Sequence, residues 1–79
     1  MVRGSEKAVR LSYALKPDAP KEAQRAALSE IDSALRRTGG DVLKTAEYLE
    51  VGRSTLNRWL SEHARLRKAL EVARREGPQ

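Results

Sequence analysis

The chain has 79 residues, and its 16 Lys and Arg against 11 Asp and Glu give a net charge of +5 at pH 7. This length allows one domain near the lower limit for independent folding, because a short chain buries a smaller fraction of its surface. Cysteine is absent and histidine occurs once, which excludes disulfides and thiolate metal sites, and we expect no metal and no other cofactor. The excess of positive charge favours a polyanionic partner, since binding phosphates releases condensed counterions.

The sequence disfavours two further classes of protein. No apolar run approaches the ~20 residues of a membrane-spanning helix, and residues 1–10 lack the apolar segment of a secretory signal. We therefore expect a cytoplasmic protein with no membrane partner. The chain has no pair of histidines, no glycine-rich phosphate loop and no cluster of carboxylates, so we expect no catalysis and no small-molecule substrate. Because so short a chain needs an additional source of stability, we expect a homodimer.

Residues 1–20 are interpreted as an N-terminal arm that ends at two prolines, Pro17 and Pro20. Polar residues alternate in this arm with four apolar ones, Val9, Leu11, Tyr13 and Leu15. Alternation is the period of a half-buried strand, so it favours a short extended segment that pairs with its copy across a dimer as a two-stranded ribbon. A short helix that begins after Ser5 is the alternative.

The rest of the chain has the pattern of consecutive helices. Apolar residues follow the helical spacing i, i+3, i+4 from Ala23 to Leu35, which predicts a helix over 21–37 that Gly39 ends. Asp41 is a favourable N-cap for a short helix over 42–49. Further helices are predicted over 53–62 and 64–76, and the last carries an apolar stripe among arginines at Leu66, Ala69, Leu70 and Ala73.

The two short helices over 42–49 and 53–62 must cross steeply, because so few residues separate them. Ala46 is the small residue at the point where their backbones would approach. Five apolar residues would form the core beneath the crossing, namely Leu49, Val51, Leu56, Trp59 and Leu60. The pattern therefore predicts an all-α, helix-turn-helix domain of three or four helices. The residues left outside on the helix over 53–62 are polar: Arg53, Ser54, Thr55, Asn57, Arg58 and Glu62.

Residues 34–60, ALRRTGGDVLKTAEYLEVGRSTLNRWL, resemble the helix-turn-helix of the Fis family of bacterial DNA-binding proteins. The matching positions are the lead-in from Leu35 to Gly40, then Ala46, Leu49 and Val51, then Arg53 to Leu56, and Leu60. The resemblance implies binding to double-stranded DNA, with Arg53, Thr55 and Arg58 at contact positions, and dimerisation through the helix over 21–37. Residues 21–64 would then be the DNA-binding domain, and residues 65–79 a C-terminal basic helix and tail.

Three residues depart from the family pattern. Glu50 stands at the turn where glycine is usual, and a residue with a side chain tolerates a left-handed backbone poorly. Gly52 replaces the usual Ser or Asn, so we expect Gly52 to take the unusual backbone angles. Asp41 stands where Asn is common, and its carboxylate would repel phosphate unless helix capping occupies it.

The resulting hypothesis is a homodimeric transcriptional regulator or nucleoid-associated architectural protein. The residues expected to enter the major groove are Arg53, Ser54, Thr55, Asn57 and Arg58. Those expected to hold phosphates are Lys44, Thr45, Arg36 and Arg37. The two recognition helices of a symmetric dimer would lie about 34 Å apart. Trp59 is expected in the core and His63 at the surface.

Two alternatives stay open at this point. Residues 54–76 also resemble the DNA-binding segment of phage small terminase subunits, for which a ring of subunits would be the mark. The other alternative is a helical protein-interaction adaptor. An exposed apolar stripe on the helix over 64–76 would favour it.

Overall fold

The computed structural model describes residues 6–78, most of which belong to helices. The helices are α1 (Glu6–Ala14), α2 (Lys21–Thr38), α3 (Val42–Leu49), α4 (Arg53–Glu62) and α5 (Ala64–Glu76). The prediction of an all-α fold is confirmed, and so are the four helices expected beyond residue 20. No helix within residues 6–78 combines the length and the apolar character needed to cross a bilayer. Ser5 lies outside the described residues.

α1 occupies the place of the strand that the sequence favoured, so that prediction is wrong. Leu11, Ala14 and Leu15 enter the core at the helical spacing i, i+3, i+4, whereas Val9 and Tyr13 stay exposed. Over so short a segment the apolar residues fit both the alternation of a strand and the spacing of a helix. Packing against α2 decided between them, because a helix pairs its own backbone groups whereas a lone strand needs a partner. Residues 6–78 contain no strand, which leaves the two-stranded ribbon without a basis in that range.

Polar contacts fasten α1 to its neighbours. The two terminal guanidinium nitrogens of Arg10 donate to the carboxylate of Glu30 at 3.0 and 3.3 Å. The ammonium of Lys7 donates to the backbone oxygen of Tyr48 at 3.4 Å and lies 5.1 Å from the centre of the Tyr48 ring. Exposed contacts of this kind contribute about 1 kcal/mol at most, so the buried face of α1 does more to place this helix.

α2 is the central helix, in contact with α1, α3 and α5. Its apolar face, formed by Ala27, Ile31, Ala34 and Leu35, is buried inside the chain. The resemblance implied that this helix dimerises. Since α1, α3 and α5 of the same chain surround it, a second copy cannot pack on that apolar face without displacing one of them.

A tight corner joins α2 to α3. Gly39 ends α2 in the left-handed conformation at φ 71°, and Gly40 follows at φ 84°. A Cβ on Gly40 would collide with the side chain of Arg74 in α5, whose Nε donates to the Gly40 oxygen at 3.3 Å. The hydroxyls of Thr38 and Thr45 lie 2.7 Å apart across the corner. The direction in which α3 leaves α2 is therefore set by α5 as well as by the corner itself.

The crossing of α3 and α4 has the core that the sequence predicted. Ala46, Leu49, Leu56 and Trp59 are each at most 2 % exposed. Val51 in the turn packs against this cluster. Trp59 is thus a core residue, as expected, and is unavailable for stacking on a base.

α5 continues from α4 after a break at His63, whose φ of −122° and ψ of 109° are extended. Nη1 of Arg67 in α5 donates to the backbone oxygens of Leu60 and Ser61 at 3.1 and 2.6 Å. These bonds satisfy carbonyls that the end of α4 leaves without helical partners. His63 is half-buried rather than at the surface, and its Nε2 has no hydrogen-bond partner among the described residues. Arg67 therefore ties the end of α4 to α5.

The close approach of Gly40 to α5 can be tested by Gly40→Ala. We expect this variant to lose about 2 to 4 kcal/mol of unfolding free energy, because it combines a positive φ with overpacking against Arg74. Gly77→Ala is the matched control, since Gly77 has the same φ of 84° but open space around the missing Cβ. Urea denaturation of both variants measures the difference. Equal losses would show that α5 does not hold the corner.

Candidate nucleic-acid interface

α3 begins with a side-chain cap. The carboxylate of Asp41 accepts a hydrogen bond from the backbone nitrogen of Lys44 at 3.0 Å, while the Asp41 nitrogen donates to the hydroxyl of Thr38 at 3.2 Å. The sequence raised the question of whether Asp41 would repel a phosphate. Its carboxylate is engaged by the helix N-terminus, which also carries partial positive charge.

The turn between α3 and α4 places the left-handed residue at Glu50, with φ 62° and ψ 37°. Gly52 has φ −72° and ψ 152°, so the prediction that Gly52 would take the unusual angles is wrong. The reason is the position of each residue relative to a helix end. The backbone nitrogen of Glu50 donates to the oxygen of Glu47 at 3.1 Å, and that of Val51 donates to the oxygen of Ala46 at 3.0 Å. This pattern of hydrogen bonds at the end of a helix requires the left-handed residue directly after Leu49.

α4 presents one apolar and one polar face. Leu56, Trp59 and Leu60 are buried, whereas four of the residues expected in the major groove are exposed: Arg53, Ser54, Asn57 and Arg58. The fifth, Thr55, is half-buried, and its hydroxyl has no hydrogen-bond partner within residues 6–78. The structure therefore gathers the predicted groove residues on one helix and leaves their polar groups accessible.

The N-terminus of α4 has no side-chain cap. Gly52 has no side-chain oxygen that could accept from the first backbone N–H groups of the helix. Free N–H groups at a helix start, together with the helix dipole, favour an anion nearby. Together with the guanidinium of Arg53, this end of α4 is suited to a phosphate oxygen.

The arginines of the chain divide into those with an intramolecular acceptor and those without one. Arg36 binds Asp32 at 2.7 Å, and this hydrogen bond and the charge of Asp32 raise the pKa of the Arg36 guanidinium above its ordinary value. Arg65 also approaches Asp32, and Arg75 pairs with Glu71. Arg53 and Arg58 differ, because neither has an acceptor among the residues that the structure describes. Arg25 and Arg37 of α2 are exposed and likewise form no ion pair within residues 6–78, so what distinguishes Arg53 and Arg58 is that both lie on the exposed face of α4.

Two of the expected phosphate ligands have partners inside the chain. Thr45 is fully buried, and its hydroxyl is paired with that of Thr38, so this part of the prediction is wrong. The periodicity placed Thr45 on α3 but could not show that the corner covers it. Arg36 pairs with Asp32, and its Nη1 lies 3.9 Å from the carboxylate of Glu76 in α5. The spacing of four residues between Asp32 and Arg36 was a signal for this pair.

Two other expected ligands remain accessible. Lys44 is exposed on α3 and has no acceptor within the described range. Arg37 is exposed, and its guanidinium lies 5.3 Å from the centre of the Tyr48 ring. Tyr48 contacts Lys7 as well, so α1, α2 and α3 together place two cations on one aromatic ring. No sequence signal could have shown this, since the three residues are far apart in the chain.

Carboxylates and His63 do not gather into a group of three or more within residues 6–78, which a metal site would need.

Residues 29–63 match the sequence model of a family described as "Bacterial regulatory protein, Fis family". The match spans α3, α4 and the second half of α2, slightly less than half of the chain. Comparisons with curated proteins and with solved structures found no match.

The left-handed backbone at Glu50 can be tested with two Glu→Gly variants. Glu50→Gly removes the penalty of a side chain at positive φ, so we expect a gain of about 0.5 to 1 kcal/mol in unfolding free energy. Glu47→Gly is the control, because Glu47 is exposed inside the same helix, where glycine costs about 1 kcal/mol. Thermal and urea denaturation should give shifts of opposite sign. A loss of stability in both variants would contradict the observed turn.

Proposed function

We propose that this chain, whose residues 29–63 form a helix-turn-helix of the Fis family, binds double-stranded DNA with α4 in the major groove. The observation that carries the proposal is the pair of free guanidinium groups, those of Arg53 and Arg58, on the exposed face of α4. The major groove is about 12 Å wide and admits one α-helix. α4 offers such a helix, since α3 and α5 pack against its apolar side and leave the polar side open.

Five polar side chains of α4 have a role in this proposal. Arg53 and Arg58 donate to guanine or to phosphate, and Asn57 pairs with adenine through its amide. The hydroxyls of Ser54 and Thr55 accept or donate as the base requires. Because these contacts reach base edges, they would set the preference for one sequence over another.

Phosphate contacts would come from outside the polar face of α4. Lys44 on α3, Arg37 at the end of α2 and the uncapped start of α4 are the groups that remain accessible for them. Thr45 and Arg36 are left out of this set because their polar atoms are used within the chain. Contacts to phosphate position the protein on the duplex and make its affinity depend on salt.

We infer further that the protein is a homodimeric transcriptional regulator that acts at the nucleoid. One chain of 8.8 kDa contacts a short stretch of duplex, and a second copy would double the base contacts. The dimer would have to use a surface other than the apolar face of α2. On the described surface the large apolar side chains that are exposed are Val9, Tyr13, Leu43 and Tyr48.

The adaptor alternative loses the feature that would have favoured it. Leu66, Ala69 and Ala73 of α5 are buried in the core, and Leu70 is partly buried. The stripe on α5 therefore packs within the chain. Its arginines mostly serve neighbouring groups, as Arg67 does for the end of α4.

The role of α4 predicts that Arg53→Ala and Arg58→Ala each weaken binding to a selected duplex by about 1 to 3 kcal/mol. Arg75→Ala is the control, since it removes the same charge from a site that is exposed on α5 and paired with Glu71. Fluorescence anisotropy with a duplex selected from a random pool, at several salt concentrations, measures the effect. If both α4 variants bind with unchanged affinity and salt dependence, α4 is not the recognition helix.

The mass in solution separates the remaining alternatives. Sedimentation equilibrium should give twice the chain mass of 8.8 kDa if the protein is a homodimeric regulator. A ring of about eight or more copies would instead support the small-terminase alternative. A monomer that still binds DNA would overturn the homodimer while leaving the proposed role of α4 intact.

A further inference from the structure

A cleft of about 340 Å³ lies between the end of α1 and the second half of α4. Its floor is apolar, since Leu15 and Trp59 contribute to it. Lys16 and Ser12 line one side, and Arg58 and Glu62 line the other. The first of these walls lies outside residues 29–63 and therefore outside the segment that matches the Fis family.

The cleft brings together two cations that have no acceptor. The ammonium of Lys16 lies 4.6 Å from the centre of the Tyr13 ring, and no carboxylate within residues 6–78 pairs with it. Arg58 also has no acceptor there. Glu62 lines the same cleft but forms an ion pair with neither cation, so an anion bound in the cleft would lower the energy of both. An aromatic contact holds Lys16 in place without neutralising it.

The identity of this anion is inferred from the proposed role of α4, and the inference rests on that role. A helix in the major groove lies between two sugar–phosphate backbones, so a group beside its exposed face meets one of them. Arg58 belongs to that face, and Lys16 shares a cleft with Arg58. We propose that Lys16, which lies outside α4, also contacts DNA. The cleft that Lys16 and Arg58 line would receive a phosphate at the edge of the groove that α4 enters.

Glu62 limits the affinity of this contact. Its carboxylate lines the same cleft and forms no ion pair with any described residue. A carboxylate beside a bound phosphate repels it, whereas Lys16 attracts it. Removal of the two charges should therefore change DNA affinity in opposite directions.

The contact would not depend on DNA sequence. An ammonium is a compact charge with three donors, and phosphates are the same at every base pair. Lys16 should therefore contribute equally to a selected and an unrelated duplex. Arg53 and Arg58 should contribute more to the selected one.

The test compares Lys16→Gln, Lys16→Arg and Glu62→Gln by anisotropy with both duplexes at several salt concentrations. Loss of one phosphate contact should reduce the salt slope by about 0.9 and weaken binding roughly fivefold at 0.15 M salt. We expect this for Lys16→Gln with both duplexes. Lys16→Arg should retain the wild-type slope, and Glu62→Gln should bind more tightly than wild type.

Lys21→Gln is the matched control, because it removes the same charge from an exposed lysine that does not line the cleft. If Lys16→Gln and Lys21→Gln change affinity and slope equally, Lys16 acts only through net charge and the inference is overturned. The proposed role of α4 is judged separately by Arg53→Ala. If Arg53→Ala loses sequence preference while Lys16→Gln binds DNA with wild-type affinity and salt slope, the cleft contact is overturned and the role of α4 stands. Absence of DNA binding by the wild-type protein would overturn both.

Discussion

Burial of the apolar face of α2 is the constraint on which the rest of the structure depends. Ile31 and Leu35 are fully buried, and α2, which carries them, packs against α1, α3 and α5. A chain of this length without disulfides has few other sources of stability. Because other helices pack around α2, the direction in which the chain leaves it at the Gly39–Gly40 corner is restricted. That direction determines where α3 and then α4 lie. The orientation of the candidate interface is thus set by residues that would never contact a ligand.

α5 contributes to this arrangement more than a basic tail would. It fills the core with Leu66 and Ala69, meets the corner at Gly40 through Arg74, and satisfies the last carbonyls of α4 through Arg67. Both ends of the helix-turn-helix are therefore attached to α5. In the proposed complex, rigid placement of α4 matters because base contacts tolerate little displacement. A helix-turn-helix attached at both ends would lose less conformational entropy on binding.

Within the described residues, some cations have an acceptor inside the chain and others do not. Arg36 and Arg10 form ion pairs with carboxylates, and Arg67 and Arg74 donate to backbone oxygens. The cations of α4 form no such bonds within the described range. A net charge of +5 would by itself indicate only an affinity for polyanions. Arg53 and Arg58 on the exposed face of α4 are the unpaired charges that support the proposed groove binding, and Lys16, which follows the end of α1, lines one cleft with Arg58.

The sequence by itself determined the helices beyond residue 20, since apolar spacing, two prolines and the glycine pair mark their ends. It also determined the core of the helix-turn-helix, because the positions from Ala46 to Leu60 follow one local pattern. Local signals were insufficient for α1, where nine helical residues fit two periods, and for Glu50, whose backbone angles depend on where α3 ends. Only the tertiary structure decided that Thr45 is buried, that α5 packs on α2, and that Lys16 and Arg58 line one cleft. Each of these joins residues from different helices, and the free energy of such contacts depends on packing that no local pattern contains.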